Sequence, residues 1–120
     1  SMTPTIVMNN NELFFTTGSP GGSRIISAVL QSILNIIDFD MDLKQATYAR
    51  RIHHQWQPDV LEIELAIDEH TKNKLIDIGY EIKIRDPLTN IQTIMYKDGL
   101  YYGYGDFRRP DSFASGEIND

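Results

Sequence analysis

The chain has 120 residues, of which 41% are hydrophobic and 23% are charged, with no cysteine and a formal net charge of −6 at pH 7. These values are ordinary for a globular protein, so residues 1–120 are treated as a single domain or domain fragment. The acidic balance argues against nucleic acid as a partner, the lack of cysteine excludes disulfides and thiolate sites, and no apolar run reaches the roughly 18 residues of a membrane span.

A β-hairpin and a long helix are predicted in the first third of the chain. Residues 5–8 and 13–17 are β-prone runs separated by an asparagine-rich turn. Residues 18–24, which we call the glycine turn, lead into an apolar helix expected from residue 23 to about residue 38. The polar face of this helix carries no charge, so we expect the helix to be mostly buried under other layers. The residues of that face are Ser27, Gln31, Ser32 and Asn35.

The next predicted elements are a short capped helix and a strand. Asp42 and Gln45 form a capping-box pattern for a short helix to about Ala49. Residues 60–65 alternate as a strand with one buried side. The alternation places Leu61, Ile63 and Leu65 inward and Glu62 and Glu64 outward.

A second helix is expected between Asp68 and Ile78. Asp68 is its N-cap, Leu75 and Ile78 are its buried residues, and Gly79 is its left-handed C-cap. Three further strands are predicted at 80–85, 91–96 and 100–104, and an irregular tail begins at residue 105. The order of elements indicates a layered α+β arrangement with largely antiparallel pairing.

The glycine turn is the strongest candidate site. Gly21 and Gly22 allow the backbone to approach a ligand closely, and the first amides of the following helix have no partner inside the helix. The functional interpretation is a site for a phosphate, a carboxylate or a developing oxyanion. The alternative is a plain connection in which Pro20 sets the helix entry and the glycines relieve crowding.

Two other patterns are weaker candidates. His53 and His54 are adjacent, so in an extended segment their rings point to opposite faces and do not easily share a metal ion. Asp38, Asp40 and Asp42 alternate, but the calcium loop with its central glycine and final glutamate is missing. We therefore expect no metal site and no cofactor.

Three serines are possible hydroxyl nucleophiles. Ser19 and Ser23 lack the GxSxG pattern of a nucleophile elbow, and Ser23 fits the first turn of the helix. Ser1 fits an N-terminal nucleophile whose own amine is the base, but a Ser1-Met2 start is equally typical of a trimmed tag or a cut inside a longer protein.

Three segments together resemble the γ-glutamyltranspeptidase family in their order and spacing. They are SMTPTI at 1–6, TGSPGGSRII at 17–26 and RIHHQWQPD at 51–59, with further support from QTI at 92–94, DGLY at 98–101 and DFRR at 106–109. The resemblance covers essentially the whole chain and corresponds to the C-terminal part of the family's small subunit. A departure is Arg50, where the family commonly has proline.

The resemblance implies an N-terminal nucleophile hydrolase with an αββα sandwich, made as a precursor that cleaves itself into two subunits. An N-terminal threonine would attack a γ-glutamyl amide such as glutathione, and the acyl group would pass to water or to an amino acid or dipeptide. Gly21 and Gly22 match the residues whose amides hold the oxyanion, and Ser1 matches a serine that binds the substrate α-carboxylate. The parent would be periplasmic or extracellular.

The resemblance places the threonine nucleophile upstream of residue 1. We therefore expect the chain to supply an oxyanion hole and to be inactive alone, with the remainder of the precursor as its partner. Apolar surface on the long helix at Val29, Ile33 and Ile37 is expected to be exposed and to cause self-association. The alternative function is a small anion-binding or interaction domain without catalysis.

Overall fold

The computed structural model describes residues 2–116. Its strands are β1 (Thr5–Asn9), β2 (Glu12–Gly18), β3 (Ile52–His53), β4 (Leu61–Ile63), β5 (Ile82–Ile84), β6 (Gln92–Lys97) and β7 (Leu100–Tyr104). Its helices are α1 (Ile25–Ile37), α2 (Leu43–Tyr48) and α3 (Glu69–Ile78), and a single 3-10 turn at Gly22–Arg24 precedes α1. None of these helices is long and apolar enough to cross a membrane.

The larger sheet is antiparallel throughout and has the strand order β1-β2-β6-β7. Helices α1 and α2 pack against this sheet, and the hydrophobic core lies between the helices and the sheet. One group of buried side chains joins β2 and β6 to α1 and α2: Phe15, Ile36, Leu43, Ala46 and Met95. A second group joins the first half of α1 to the segment before β6: Ile25, Ala28, Val29 and Ile91.

The smaller sheet has the order β3-β4-β5. Strands β3 and β4 are antiparallel, whereas β4 and β5 are parallel and are connected through α3, as parallel strands require a crossover. The α+β class and the largely antiparallel pairing are therefore confirmed, with β4 and β5 as the parallel exception.

Local capping signals in the sequence correspond to real helix ends. The Asp42 side chain accepts the Gln45 N–H at 2.7 Å, and the Gln45 side chain accepts the Asp42 N–H at 3.1 Å, which completes the predicted capping box. Asp68 accepts the Thr71 N–H at 2.7 Å at the start of α3, and Gly79 ends that helix with φ of 118°. Short-range hydrogen bonding therefore fixes both helices where the pattern predicts them.

The prediction that one side of β4 faces solvent is wrong, although Leu61 and Ile63 are buried as expected. Glu62 and Glu64 are both buried, and Leu65, which the alternation placed inward, is 63% exposed. The reason is that each carboxylate has an arginine partner, Arg24 for Glu62 and Arg108 for Glu64, so the strand is covered on both sides. A charged side chain is buried when it is paired and hydrogen-bonded, and single-strand alternation does not reveal that.

The exposed face of α1 is apolar, but of the three residues predicted to form it only Ile37 is exposed. Val29 is buried and Ile33 is half-buried, whereas Ile26, Leu30 and Ile37 are 70%, 53% and 50% exposed. The polar side of the helix faces the protein because its side chains bind β3, as described below. The prediction that α3 buries Ile78 is also wrong, since that side chain is 73% exposed.

Candidate functional site

The glycine turn connects the end of β2 to the start of α1 and is held at its base by Ser19. Ser19 is fully buried, and its main-chain N–H donates to the Met2 carbonyl oxygen at 3.0 Å. Its Oγ lies 2.8 Å from the Pro20 carbonyl oxygen and 2.9 Å from the Asn90 carbonyl oxygen. Ser19 therefore ties the turn to the N-terminal segment and to the loop before β6. These bonds explain the buried serine without a nucleophilic role.

Gly21 and Gly22 both adopt positive φ, at 134° and 62°. A Cβ built on Gly21 would lie 2.5 Å from Thr89 Cγ2, so no side chain fits there without movement of Thr89. At Gly22 no atom lies within 4 Å of a built Cβ, and the requirement for glycine comes from the left-handed backbone alone. The turn thus needs glycine twice, for two different physical reasons.

The amides of Gly21 and Gly22 are the chemically available groups of this turn. Both residues are exposed, and among residues 2–116 neither N–H donates a hydrogen bond to another protein group. They lie at the positive end of the helical segment formed by the 3-10 turn and α1. Two free consecutive N–H groups at that position favour a bound anion or a developing negative charge.

The side of the turn that continues into α1 is held by β3 and the loop after it. Ser23 Oγ donates to Gln55 Oε1 at 2.9 Å, and the Ser27 hydroxyl is 2.7 Å from Nδ1 of the buried His53 ring. Gln31 donates from Nε2 to the Ile52 carbonyl oxygen at 2.7 Å and accepts the Ile52 N–H at 3.0 Å. The polar side chains of the 3-10 turn and α1 therefore dock this helical segment onto β3 and the loop after it.

Arg24 closes the turn through an ion pair with β4. Its Nε and a terminal nitrogen bind the two carboxylate oxygens of Glu62 at 2.6 and 2.7 Å. The hydrogen bond from Arg24 holds the pKa of Glu62 below its ordinary value, and the same bond raises the pKa of Arg24. A two-point arginine–carboxylate pair fixes orientation as well as distance, so the last residue of the turn is tied to the small sheet.

A second polar cluster lies buried between the two sheets, formed by Arg51, Glu64, Asp106 and Arg108. Arg108 binds Glu64 through two nitrogens at 2.6 and 2.7 Å and Asp106 at 3.0 Å, and Arg51 binds Asp106 at 3.0 Å. The four charges sum to zero. Sequence reasoning did not predict this cluster, although Arg51 begins the RIHH run and Asp106 and Arg108 belong to the DFRR run.

Main-chain groups complete the hydrogen bonding of the buried cluster. Glu64 accepts the N–H groups of Arg51 and Leu88 at 2.7 and 3.2 Å, and Asp106 accepts the Ile91 N–H at 2.7 Å. Burial alone would raise the pKa of Glu64, but the hydrogen bond and charge of Arg108, together with these N–H groups, hold that pKa below its ordinary value. The cluster is fully partnered and fixes the loop that carries Thr89.

The two adjacent histidines have protein partners instead of a shared site. His53 lies between Ser27 and Gln55, and His54 Nε2 is 3.1 Å from an Asp59 carboxylate oxygen. Within residues 2–116 no group of three His, Cys, Asp or Glu side chains has a metal-binding arrangement. Of the predicted site residues, Gly21 and Gly22 lie together in the turn, and Ser1 lies outside the described residues.

Comparison with known proteins assigns these motifs to one family. The family model described as gamma-glutamyltranspeptidase matches residues 1–116. A glutathione hydrolase proenzyme from Escherichia coli is 41% identical over 117 residues, which is 97% of this chain and 20% of that protein. One from Pseudomonas sp. is 35% identical over 97% of this chain and 22% of its own length. The chain therefore spans about a fifth of the length of these relatives.

Solved structures match the fold over nearly the whole chain. The Helicobacter pylori gamma-glutamyltranspeptidase T380A mutant has a TM-score of 0.85 at 42% identity, covering 91% of this chain and 61% of that chain. The enzyme from Pseudomonas nitroreducens complexed with L-DON has a TM-score of 0.87 at 27% identity, covering 100% of this chain and 63% of that one.

Proposed function

The chain belongs to the γ-glutamyltranspeptidase family, and we propose that it is part of an enzyme that cleaves γ-glutamyl amides such as glutathione. The reaction proceeds through a γ-glutamyl-enzyme intermediate, which passes its acyl group to water or to an amino acid or dipeptide. Support comes from the family match, from the relatives that are named glutathione hydrolase proenzymes, and from the geometry of the glycine turn.

In this proposal the N–H groups of Gly21 and Gly22 form the oxyanion hole. When a nucleophile attacks the γ-carbonyl carbon, the C=O π pair moves to oxygen and leaves a tetrahedral centre with a negative charge. The two amides donate to that oxygen, as the positive end of the helical segment favours. The observation that carries the proposal is that both amides are exposed and have no acceptor among residues 2–116.

The remaining parts of the site are proposed from the family resemblance. We propose that the nucleophilic threonine belongs to the part of the precursor upstream of residue 1, and that the 120-residue chain is inactive by itself. Ser1 is proposed to bind the substrate α-carboxylate through its hydroxyl. No cofactor enters the mechanism, and we propose a periplasmic or extracellular location for the parent protein.

The remainder of the precursor is proposed to cover the exposed stripe of α1. Ile26, Leu30 and Ile37 repeat at helical spacing on one side of that helix, and α1 contains no charged residue. Exposed apolar stripes of this kind mark protein contacts. Without the rest of the precursor, the chain is expected to self-associate through the same stripe.

The proposal is tested in the precursor that contains this chain by comparing Gly22→Ala with Gly99→Ala. Both glycines have positive φ, 62° and 78°, and at neither position does a built Cβ meet an atom within 4 Å. Both variants therefore carry similar backbone strain, but only Gly22 lies in the glycine turn. We expect at least a tenfold lower kcat for hydrolysis of a γ-glutamyl anilide with Gly22→Ala, and an unchanged kcat with Gly99→Ala. Equal kcat values in the two variants would refute the proposal.

A non-catalytic anion-binding domain is separated from this function by amide NMR on the 120-residue chain. Micromolar binding of glutamate or phosphate at the Gly21 and Gly22 amides, in a protein whose precursor shows no γ-glutamyl hydrolysis, would favour that alternative. The proposed oxyanion hole needs no tight ground-state binding, because its donors bind the charge that develops in the transition state.

A further inference from the structure

We propose that Gln55 is a positioning residue for the oxyanion hole and acts through Ser23. The inference rests on the function proposed above, because it assigns Gln55 to the control of the amides at Gly21 and Gly22. Gln55 lies in the loop after β3, and its side chain contacts Ser23, the residue that directly follows Gly22.

The Gln55 side chain has one orientation that satisfies its neighbours. Its Oε1 accepts the Ser23 hydroxyl at 2.9 Å, and its Nε2 donates to the Gln57 carbonyl oxygen at 3.0 Å. Exchanging the oxygen and nitrogen would place two oxygens against each other at Gln57, because the Gln57 carbonyl can only accept. The amide plane is thus fixed by three partners, and so is the position of the Ser23 Oγ.

His53 links the same amide to α1. Its Nε2 is 2.9 Å from Gln55 Oε1, which only accepts, so the neutral ring carries its proton on Nε2. Its Nδ1 then accepts the Ser27 hydroxyl at 2.7 Å. His53 is buried, so the chain of bonds from Ser27 through His53 and Gln55 to Ser23 has a rigid anchor. This chain of bonds connects Ser23 and Ser27 of the helical segment through the side chains of Gln55 and His53.

Gly22 is held on its carbonyl side, where its oxygen accepts the Ile25 N–H, but its N–H side is open. No atom lies within 4 Å of a Cβ built on Gly22, and its N–H has no acceptor among residues 2–116. Glycine samples positive and negative φ with similar ease, so the direction of its N–H depends on what holds the next residue. The Ser23 side chain supplies that hold, one residue beyond the amide.

The consequence is an effect on kcat with little effect on KM. The oxyanion is present in the transition state and absent in the bound substrate, so a misplaced donor weakens only the former. A neutral hydrogen bond of this kind supports an expected loss of about threefold to tenfold in kcat. A role limited to fold stability would lower the amount of active enzyme and leave kcat per active site unchanged.

The kinetic test uses the precursor, with kcat expressed per active site titrated by acylation. We expect Gln55→Ala and Ser23→Ala each to lower kcat about threefold to tenfold with KM unchanged, and the double variant to be no worse than either one. Ser23→Thr keeps a hydroxyl and should keep most of the activity. Gln57→Ala is the matched control, because that exposed side chain makes no hydrogen bond within residues 2–116. Wild-type kcat in Gln55→Ala, or effects that multiply in the double variant, would overturn the proposal.

A second readout does not depend on catalysis. In the 120-residue chain, Gln55→Ala should shift the amide resonance of Gly22 and speed its hydrogen exchange, and Gln57→Ala should do neither. If Gln55→Ala moves the Gly22 amide but loss of that amide leaves kcat normal, the positioning role stands and the oxyanion role fails. If the Gly22 amide is unchanged in Gln55→Ala, the positioning role fails whatever the kinetics show.

Discussion

The Thr89 methyl group lies where a side chain on Gly21 would have to be: a Cβ on Gly21 would be 2.5 Å from Thr89 Cγ2. Thr89 itself has a φ of 62°, which is rare for a β-branched residue, and its Oγ1 is buried without a hydrogen-bond partner among residues 2–116. Strained residues of this kind gather at functional sites, where the surrounding structure holds them. Here the neighbour is the backbone of the proposed oxyanion hole.

The first prediction concerns stability at this contact. Gly21→Ala should lower the free energy of unfolding by about 2 kcal/mol or more, because it adds a steric clash to the cost of a positive φ. Gly22→Ala should cost about 1 kcal/mol, since only backbone strain applies there. In a Thr89→Ser background, which lacks the methyl group, the cost of Gly21→Ala should fall. Urea denaturation measures the free energy of unfolding of the three single variants and of the Gly21→Ala/Thr89→Ser double variant. Equal losses for Gly21→Ala and Gly22→Ala in the wild-type background would contradict a steric clash between Gly21→Ala and Thr89.

The second prediction concerns the buried charge cluster. Arg108→Ala should destabilise the chain by roughly 3 to 5 kcal/mol, because it leaves Glu64 and Asp106 buried without their shared partner. The adjacent Arg109 is exposed, so Arg109→Ala is the control and should change stability by less than about 0.5 kcal/mol. Thermal or urea unfolding checks both variants. A loss below about 1 kcal/mol for Arg108→Ala would show that the cluster does not hold the sheets together.

The third prediction concerns acid stability. The pKa of Glu62 and the pKa of Glu64 lie below their ordinary value of 4.5 in the folded chain. As pH falls, the two carboxylates are therefore protonated in the unfolded chain before they are protonated in the folded chain. Their contribution to stability is fully present above pH 4.5 and is lost as pH falls through the folded pKa values. Glu62→Gln should flatten the dependence of unfolding free energy on pH in that range. The exposed Glu81→Gln is the control, and an identical pH slope in the two variants would be inconsistent with the Arg24 pair.

The fourth prediction concerns the exposed stripe of α1. The isolated chain should self-associate at high micromolar concentration, and Leu30→Gln should shift it toward the monomer, because the stripe loses its central apolar contact. Ile78→Gln removes an apolar side chain from α3 that is more exposed than Leu30, and it should leave association unchanged. Sedimentation velocity measures the distribution. A monomeric wild-type chain at that concentration would count against the stripe as a contact surface.

The features that the sequence predicted are those set by short-range interactions. The caps at Asp42, Asp68 and Gly79 depend on residues within one turn of the helix, and the structure contains all three. The glycine turn was predicted for the same reason, because a strand end, two glycines and an apolar helix are adjacent in the chain. The resemblance to the family then implied a role for Gly21 and Gly22, which the local pattern alone left open.

The features that sequence reasoning missed depend on contacts distant in the chain. Glu64 is separated by 44 positions from Arg108 in the sequence, and Glu62 by 38 from Arg24. Alternation along β4 treats a carboxylate as a surface group, so it assigned both residues to solvent. The contacts of Gln55 with Ser23 and of Thr89 with Gly21 also cross between elements, and no periodicity in one segment reports them.

The central claim is that the N–H groups of Gly21 and Gly22 stabilise the oxyanion, and replacement of Gly22 by glycolic acid in the precursor tests it most directly. This change converts one N–H to an ester oxygen and adds no side chain, so the positive φ is kept and only the donor is lost. We predict that kcat for a γ-glutamyl anilide falls about a hundredfold or more with KM little changed, whereas glycolic acid at Gly99 leaves kcat unaltered. A kcat within twofold of the wild type after replacement at Gly22, and again at Gly21, would contradict the account.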